Sequence, residues 1–226
     1  MKPKTGNANS ISLDVIKQEK VPVEESFSKI YIINSEEKSF ISNCISNLDN
    51  FDKRISSPLQ TCTTNLFIEL FLFIFAKSFN TITVILYLVF LLFYSLFYIK
   101  NIYIFITVSI HVIVGALITL ILKKIIRRER PTLTVKRYFS GVRKRETMES
   151  MPSGDSLQAA NFAMMMLMYL TNKYKFFSLC FIPISMIGRV FYCCHYWFDC
   201  FIGAFLGIFV SYGCYFLINK LNLNKF

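Results

Sequence analysis

Long apolar stretches alternate with short polar connections over most of this chain, beginning after about residue 62. A helix needs about 20 mainly apolar residues to cross a bilayer. Three stretches meet this need without a charged residue: Thr81–Ile99, Ile102–Leu122 and Cys200–Ile218. Three shorter stretches also suit helices: Ser156–Asn172, Phe176–Gly188 and Thr63–Ala76. Because a helix satisfies its own backbone hydrogen bonds in lipid, the pattern predicts an all-α integral-membrane bundle of about six transmembrane helices.

Some residues inside these stretches bear on how the helices pack. Gly203, Gly207 and Gly213 in the last stretch would let neighbouring helices approach closely. Glu69 and His111 are costly in lipid unless they face the bundle. These two residues either line a route for a polar headgroup or form hydrogen bonds between helices. Six crossings would place the polar segments between the longer helices on one face, opposite both termini.

The amino-terminal part of the chain has a different character. Residues 1–51 are rich in Ser, Asn, Lys and Glu, and such a composition offers too little apolar surface to offset the cost of ordering. We therefore predict a polar, largely disordered tail over residues 1–51 and a membrane-embedded domain over residues 52–226.

Composition and charge narrow the possible functions. Hydrophobic residues make up 54% of the chain and charged residues 17%, against roughly 25% charged in soluble domains. The net charge is +11, but Met1–Cys62 contains eight basic and eight acidic residues, so the excess lies in the apolar part. Long apolar runs leave no folded surface for nucleic acid. Seven cysteines without a Cys-x-x-Cys pair suit neither a disulfide framework nor a metal or redox site, so we expect no metal and no cofactor.

The first polar cluster closes the third long stretch. Lys123 and Arg130 are seven residues apart and share a helix face, while Pro131 does not readily continue the helix. Two cations on one face suit a polyanion such as phosphate. The alternative is a basic anchor that binds lipid headgroups at the membrane boundary.

The second polar cluster opens the next stretch, with the sequence Pro-Ser-Gly-Asp. Ser153 or Asp155 can cap the helix, and Gly154 lets the backbone pass close to a ligand. Free amide groups at a helix start favour an anion. The alternative interpretation is helix capping alone.

The third polar cluster lies before the last long stretch and contains Arg189, His195 and Asp199. On a helix, Asp199 would reach one imidazole nitrogen of His195 and leave the other as a free lone pair. That arrangement produces a nucleophile or a base. The alternative is a structural histidine at an apolar boundary.

The three clusters, in this order, follow the pattern Lys-x6-Arg-Pro, Pro-Ser-Gly-x and Arg-x5-His-x3-Asp. This pattern resembles the type 2 phosphatidic acid phosphatases, which share a fold with vanadium haloperoxidases and bacterial acid phosphatases. The resemblance covers about Asp52–Ile218, and the Asp-Lys-Arg-Ile-Ser stretch resembles the polyisoprenoid diphosphate phosphatase branch.

The resemblance implies a role for each residue of the three clusters. His195 would be the nucleophile that forms a phosphohistidine, and Asp199 would orient it. The phosphate-binding set implied by the resemblance is Lys123, Arg130, Ser153, Gly154 and Arg189.

Two positions depart from the family pattern. Gly188 stands where the family usually has serine, which removes one minor donor. Asp155 stands where the family has the histidine that protonates the leaving oxygen. Nearby cations favour the ionised form of Asp155, and a phosphate leaving from a diphosphate needs a proton less than an alkoxide does. Asp155 therefore favours diphosphate substrates or an inactive relative.

Taken together, the resemblance implies a metal-independent lipid phosphatase that acts on a polyisoprenoid diphosphate or a phosphatidate-like lipid. The alternative is a catalytically weak or inactive family member that binds anionic lipid or a membrane partner. We expect an integral membrane protein of the endoplasmic reticulum or another endomembrane, with a phosphorylated lipid and the bilayer as partners. The pattern leaves the oligomeric state open.

Overall fold

The structure is a computed structural model that describes residues 23–133, 135–139, 141–144, 149–171 and 173–221. Its α-helices, in chain order, are α1 (Val23–Thr61), α2 (Leu66–Ser78), α3 (Thr81–Tyr94), α4 (Ile102–Ile126), α5 (Gly141–Lys144), α6 (Gly154–Tyr169), α7 (Phe181–Phe191) and α8 (Trp197–Lys220). A π-helical turn, Ser95–Ile99, continues α3, and a 3₁₀ segment, Lys173–Cys180, leads into α7. The only β pairing among these residues is an isolated bridge between Glu129 and Glu149.

Within the described part of the chain, four helical segments are long and apolar enough to cross a membrane. They are Thr81–Ile99, Ile102–Ile126, Lys173–Phe191 and Trp197–Lys220. The 16-residue helix α6 packs between α4, α7 and α8. All six predicted stretches are helical over most of their length, and the predicted all-α membrane bundle is confirmed.

Asparagine side chains start the first three helices of the bundle. Asn65, Asn80 and Asn101 each accept a hydrogen bond from a backbone amide of α2, α3 and α4, at 3.0, 3.0 and 2.9 Å. The first amides of a helix have no partner within the helix, so a short polar side chain at this position stabilises the helix start. These residues separate apolar stretches that would otherwise run together.

Helices α2 and α3 follow one another in the same direction. Helix α2 runs antiparallel to α7, since Tyr192 donates to the Glu69 carbonyl at one end (3.1 Å) and Phe79 lies 6.1 Å from Phe181 at the other. Helix α3 continues from that level to the start of α4, with which it lines a common cavity. At 13 residues, or roughly 20 Å, α2 alone is too short to cross a bilayer.

The predicted placing of both termini opposite the motifs does not follow from this arrangement. The end of α1 lies beside the third motif, where Gln60 donates to the His195 carbonyl at 3.3 Å. Helix α8 begins at this same end and runs to Lys220 at the far end of the bundle. Residues 1–22 and 222–226 themselves lie outside the described residues.

The chain divides into two units, Met1–Leu48 and Asp49–Phe226. Of residues 1–51, Val23 onward belongs to α1, and residues 1–22 lie outside the described part of the chain. The last turns of α1, from Asp49, belong to the same unit as the bundle. The predicted domain boundary at residue 52 and the disorder of the tail both stay predictions.

Polar residues inside the membrane stretches are used for packing. The Glu69 carboxylate, 2% exposed, accepts a hydrogen bond from the Phe139 amide at 3.0 Å. The buried His111 ring contacts the Thr107 carbonyl of its own helix at 2.9 Å, and its carbonyl accepts from Asn161 of α6. These contacts support the hydrogen-bonding interpretation of Glu69 and His111.

Helices α6 and α8 make the most extensive contact in the bundle. A side chain at Gly203 would collide with the Ser153 carbonyl, and one at Gly207 would collide with the Leu157 carbonyl. Nothing lies within 4 Å of the position that a side chain would take at Gly213. The predicted close approach therefore holds at two of the three glycines.

We expect Gly207→Ala to destabilise the protein by roughly 1–3 kcal/mol, because overpacking moves α6 away from α8. Gly213→Ala is the matched control and should be neutral or stabilising by up to about 1 kcal/mol through helix propensity alone. Thermal unfolding in detergent measures both. Equal melting temperatures for the two variants would contradict the close contact.

Candidate active site

The end of α4 and the start of α6 are tied together by the loops between them. Helix α4 ends at Arg127, whose left-handed backbone (φ 50°) turns the chain. The Ser150 amide then donates to the Arg128 carbonyl at 2.7 Å, beside the Glu129–Glu149 bridge. Lys123 donates to the Glu149 carbonyl at 2.8 Å. Lys123 therefore lies next to the segment that leads to the second motif.

The second motif forms the start of α6. Ser153 is the N-cap, and its hydroxyl accepts from the Ser156 amide at 3.4 Å and from the Ser156 hydroxyl at 3.0 Å. The Ser153 amide donates to the Asp199 carbonyl at 2.9 Å. Gly154 faces Thr119 of α4, where a side chain would make a tight contact at 3.2 Å. The capping role of Ser153 is present, and it places the start of α6 against the start of α8.

Two arginines, Arg130 of the first motif and Arg189 of the third, lie beside one nitrogen of His195. Nη1 of Arg130 lies 3.2 Å from Nε2 of His195, and Nη2 of Arg189 lies 3.5 Å from the same atom. Arg130 also donates to the Cys194 carbonyl at 2.5 Å. The His195 and Arg189 side chains are buried, with 1% and 0% exposure. Arg130 therefore meets, at one atom of His195, two residues that lie 59 and 65 positions further along the chain.

The contacts define which nitrogen of His195 carries the lone pair. Guanidinium groups donate hydrogen bonds and cannot accept them, so Nε2 between Arg130 and Arg189 acts as the acceptor. The proton of the neutral ring then lies on Nδ1, which is 3.7 Å from Oδ2 of Asp199. This tautomer presents Nε2 as a nucleophile.

Asp199 reaches His195 by a different route from the predicted one. His195 lies in the loop before α8, which begins at Trp197, so the two residues do not share a helix turn. Asp199 is the third residue of α8 and accepts from the Tyr196 amide at 2.9 Å in a capping box. At 3.7 Å, its contact with His195 is an ion-pair distance and not a hydrogen bond.

Asp155 forms an ion pair with a predicted phosphate-binding residue. Its Oδ2 lies 2.8 Å from Nη1 of Arg189, which also donates to the Ala76 carbonyl at 3.3 Å. The side chain of Asp155 is 15% exposed and that of Arg189 fully buried. Asp155 therefore places a carboxylate against Arg189, the same cation that contacts His195.

Gly188 has a packing reason in this structure. A side chain here would lie 3.1 Å from the Ala76 side chain and 3.1 Å from the Leu72 carbonyl of α2. The serine that the family pattern predicts would press against this helix. Glycine lets α7 lie close to α2 and keeps Arg189 beside Ala76.

Arg128, which sequence reasoning passed over as a spacer residue of the first motif, forms the centre of a charge cluster. It contacts Asp199 at 2.6 Å, Asp52 at 2.7 Å and Asp49 at 2.7 Å. Its guanidinium also lies 4.5 Å from the Tyr196 ring centroid. Burial works against this charge, but Asp199, Asp52 and Asp49 outweigh it and raise the pKa of Arg128 above its usual range.

One member of this cluster could have been noticed in the sequence. Asp52 belongs to the Asp-Lys-Arg-Ile-Ser stretch, which resembles the polyisoprenoid diphosphate phosphatase branch. Its partners could not be identified from spacing alone. Among the described residues, no group of three or more His, Cys, Asp or Glu side chains is arranged to hold a metal ion. All seven cysteines are free thiols.

Comparison with known structures finds proteins of a similar fold. A crystal structure of the first transmembrane PAP2 type phosphatidylglycerolphosphate phosphatase from Bacillus subtilis is similar with a TM-score of 0.64, at 18% identity over 77% of this chain and 87% of that one. The crystal structure of Aquifex aeolicus LpxE is similar with a TM-score of 0.53, at 17% identity over 73% of this chain and 92% of that one. At these identities the likeness concerns the fold. A search of curated proteins finds no significant match.

The family itself follows from the sequence match. The family model of the PAP2 superfamily matches residues 103–223, more than half of the 226-residue chain. This segment contains the three motifs and the helices that bring them to one end of the bundle. The chain therefore belongs to the PAP2 superfamily.

Proposed function

We propose that this protein is an integral-membrane lipid phosphatase that works through a phosphohistidine at His195. The observation that carries the proposal is the position of Arg130 and Arg189, whose guanidinium nitrogens lie 3.2 and 3.5 Å from Nε2 of His195. Fixed cations stabilise the charge on a transferring phosphoryl group. A phosphorus atom that approached Nε2 would lie between the two arginines.

The reaction then has two displacement steps. The Nε2 lone pair of His195 attacks phosphorus, and the bond between phosphorus and the leaving oxygen breaks. The Nδ1 proton faces Asp199, which stabilises the positive charge that develops on the ring. Water next attacks the phosphohistidine, which releases inorganic phosphate and restores the neutral imidazole. Lys123, Ser153 and the Gly154 amide complete the proposed phosphate-binding set.

A cavity inside the bundle supports a lipid substrate. It has a volume of about 580 Å³ and is lined mainly by apolar residues of α3, α4 and α6, within the range of about 300–1,000 Å³ typical of ligand pockets. Its wall includes Gln158, one helical turn beyond Asp155, and Phe79, just after the end of α2. Space for a hydrocarbon chain thus lies one helical turn from Asp155, the ion-pair partner of Arg189.

The proposed substrate is a polyisoprenoid diphosphate or a phosphatidate-like lipid, and the proposed location is an endomembrane such as the endoplasmic reticulum. One of the similar structures is that of a phosphatidylglycerolphosphate phosphatase, and this similarity supports a phosphorylated lipid as the substrate class. Metal independence belongs to the same proposal, since Arg130, Arg189 and Lys123 supply positive charge.

A second candidate function is favoured by the ion pair between Asp155 and Arg189 at 2.8 Å. A carboxylate beside the phosphate-binding cation opposes a bound phosphate. An inactive family member that binds anionic lipid would fit this feature. This second candidate function predicts that the protein binds anionic lipid but releases no phosphate from it.

One assay distinguishes the two candidates. Purified protein in detergent is incubated with a polyprenyl diphosphate and with phosphatidate, and released phosphate is measured against the His195→Ala variant. We expect release that vanadate, a mimic of the pentavalent transition state, inhibits and that a divalent-metal chelator leaves unchanged. No release above the variant would favour the inactive member, and loss of release in chelator would indicate a metal-assisted enzyme.

A further inference from the structure

One face of α1 contacts the loop that carries His195. Asp52, Ser56 and Gln60 are spaced by four residues and therefore share a helix face. All three are buried, although the surrounding positions of α1 are mostly exposed. Gln60 donates to the His195 carbonyl at 3.3 Å. This buried polar face of α1 lies against the loop that carries His195 rather than against the apolar core.

The same face caps the start of α8. The Ser56 hydroxyl accepts from the Trp197 amide at 3.1 Å, and Oδ1 of Asp52 accepts from the Phe198 amide at 3.1 Å. The first amides of a helix lack partners within the helix, and negative charge is favourable at that end. These caps come from 141 and 146 residues earlier in the chain. Helix α1 therefore fixes the helix start that carries Asp199.

Arg128 links α1 to Asp199, the carboxylate that faces His195. One guanidinium nitrogen, Nη1, contacts Oδ2 of Asp52 at 2.7 Å and Oδ1 of Asp199 at 2.6 Å. The other carboxylate oxygen of Asp199, Oδ2, faces His195. Burial raises the pKa of Asp52, while hydrogen bonds from Arg128 and the Phe198 amide oppose the increase. Asp199 therefore faces His195 with one carboxylate oxygen and Arg128 with the other. The positive charge of Arg128 is in turn balanced by Asp52 of α1.

We propose that Asp52, Ser56 and Gln60 of α1, together with Arg128, are positioning residues that fix His195 and Asp199 and set the electrostatic environment of the imidazole. Asp52–Gln60 lies outside residues 103–223, which the family model matches. The consequence for turnover rests on the proposed phosphatase function. The consequence for the charge state of His195 can be measured without any turnover.

The chain contains only two histidines, so the titration of His195 can be followed directly. In protein labelled with ¹⁵N-histidine in detergent, His111→Gln assigns the signals, and the pH at which His195 protonates is read from its ring nitrogens. Asp52→Asn removes a negative charge and should lower this midpoint, whereas Arg128→Gln removes a cation and should raise it, each by roughly half a pH unit. The other groups that face His195 are Arg130 after α4, Arg189 of α7 and Asp199 of α8, with Asp155 beyond Arg189, and they stay unchanged.

The double variant Asp52→Asn/Arg128→Gln should return the midpoint toward the wild-type value, because both charges are then absent. Asp52→Asn nearly preserves shape, so it also serves if Arg128→Gln fails to fold. Midpoints that do not move, or that move in the same direction in both single variants, would overturn the proposal. Disruption of packing alone does not predict shifts of opposite sign.

Turnover gives a second measurement with a matched control. Ser56→Ala removes the Trp197 cap, and Ser57→Ala makes the same substitution at an exposed neighbouring position. We expect Ser56→Ala to lower kcat by roughly 10- to 100-fold with a smaller change in KM, through misplacement of His195, and Ser57→Ala to match the wild type. Equal kcat in the two variants would contradict the positioning role. If the wild type shows no turnover, the phosphatase proposal fails, and the histidine titration still decides this one.

Discussion

Replacing His195 with alanine is expected to abolish phosphate release while the protein stays folded. In the proposed mechanism the ring supplies the atom that attacks phosphorus, and loss of the nucleophile in a hydrolase of the serine type costs on the order of 10⁶-fold in kcat. The ring contacts Arg130 and Arg189. These arginines also donate to other groups, Arg130 to the Cys194 carbonyl and Arg189 to the Ala76 carbonyl, so they keep partners when the ring is removed. We expect a fall of at least about 10³-fold, measured as phosphate released from a lipid substrate, with a melting temperature in detergent near that of the wild type.

Two further variants sharpen this prediction. His111→Gln changes the other histidine of the chain, which lies inside α4, and should retain turnover. Asp199→Asn should reduce turnover less completely, since it removes charge and orientation but leaves the nucleophile in place. Labelled substrate should give an acid-labile phosphoprotein in the wild type and none in His195→Ala. Substantial turnover in His195→Ala would end the phosphohistidine mechanism.

The meeting of the three motifs could be predicted from helix ends. Lys123 closes one apolar stretch, Ser153 opens the next, and Arg189 and Asp199 flank the last connection. In a bundle of alternating helices these ends come to the same side, and the structure places them there. The geometry within the third motif could not be predicted in the same way. A four-residue spacing suggests one helix turn, whereas His195 lies before the first residue of α8.

The contributions of α1 and α2 could not be obtained from periodicity. Apolar content predicts whether a segment enters lipid. It does not predict whether two consecutive helices reverse direction, and α2 and α3 run in the same direction. The docking of Asp52 depends on hydrogen bonds to Arg128 and Phe198, which lie 76 and 146 residues away in the chain. The residues of α1 that dock are polar, namely Asp52, Ser56 and Gln60, whereas apolar residues of α1 such as Phe51 and Ile55 are exposed. The apolar periodicity of α1 therefore does not identify the face that contacts the bundle.

Replacing Asp155 with histidine is expected to change the preference between substrates. In the structure, Oδ2 of Asp155 lies 2.8 Å from Nη1 of Arg189, and a cation at this distance favours the ionised carboxylate. An ionised carboxylate cannot protonate an alkoxide, whereas phosphate leaving from a diphosphate is a weak base and needs little help. Lipid monophosphates should therefore be poor substrates of the wild type and diphosphates better ones.

Asp155→His has two effects that a companion variant separates. It supplies a proton donor, and it frees Arg189 for the phosphate. Asp155→Asn frees Arg189 without supplying a donor, so it should change turnover of the monophosphate and the diphosphate alike. Asp155→His should raise turnover of the monophosphate further than Asp155→Asn does, by up to the 10²–10⁴-fold that general-acid catalysis typically contributes, and should add little for the diphosphate.

Initial rates of phosphate release from a matched lipid monophosphate and diphosphate, measured for the three proteins, give the ratio directly. An increase confined to the monophosphate in Asp155→His identifies the missing acid as the reason for the preference. If both substrates respond equally to Asp155→His, or both slow down, then Asp155 is either a working acid or a structural residue of the first turn of α6. The ion pair with Arg189 would in that case support the site itself, and the preference for diphosphates would have no physical basis.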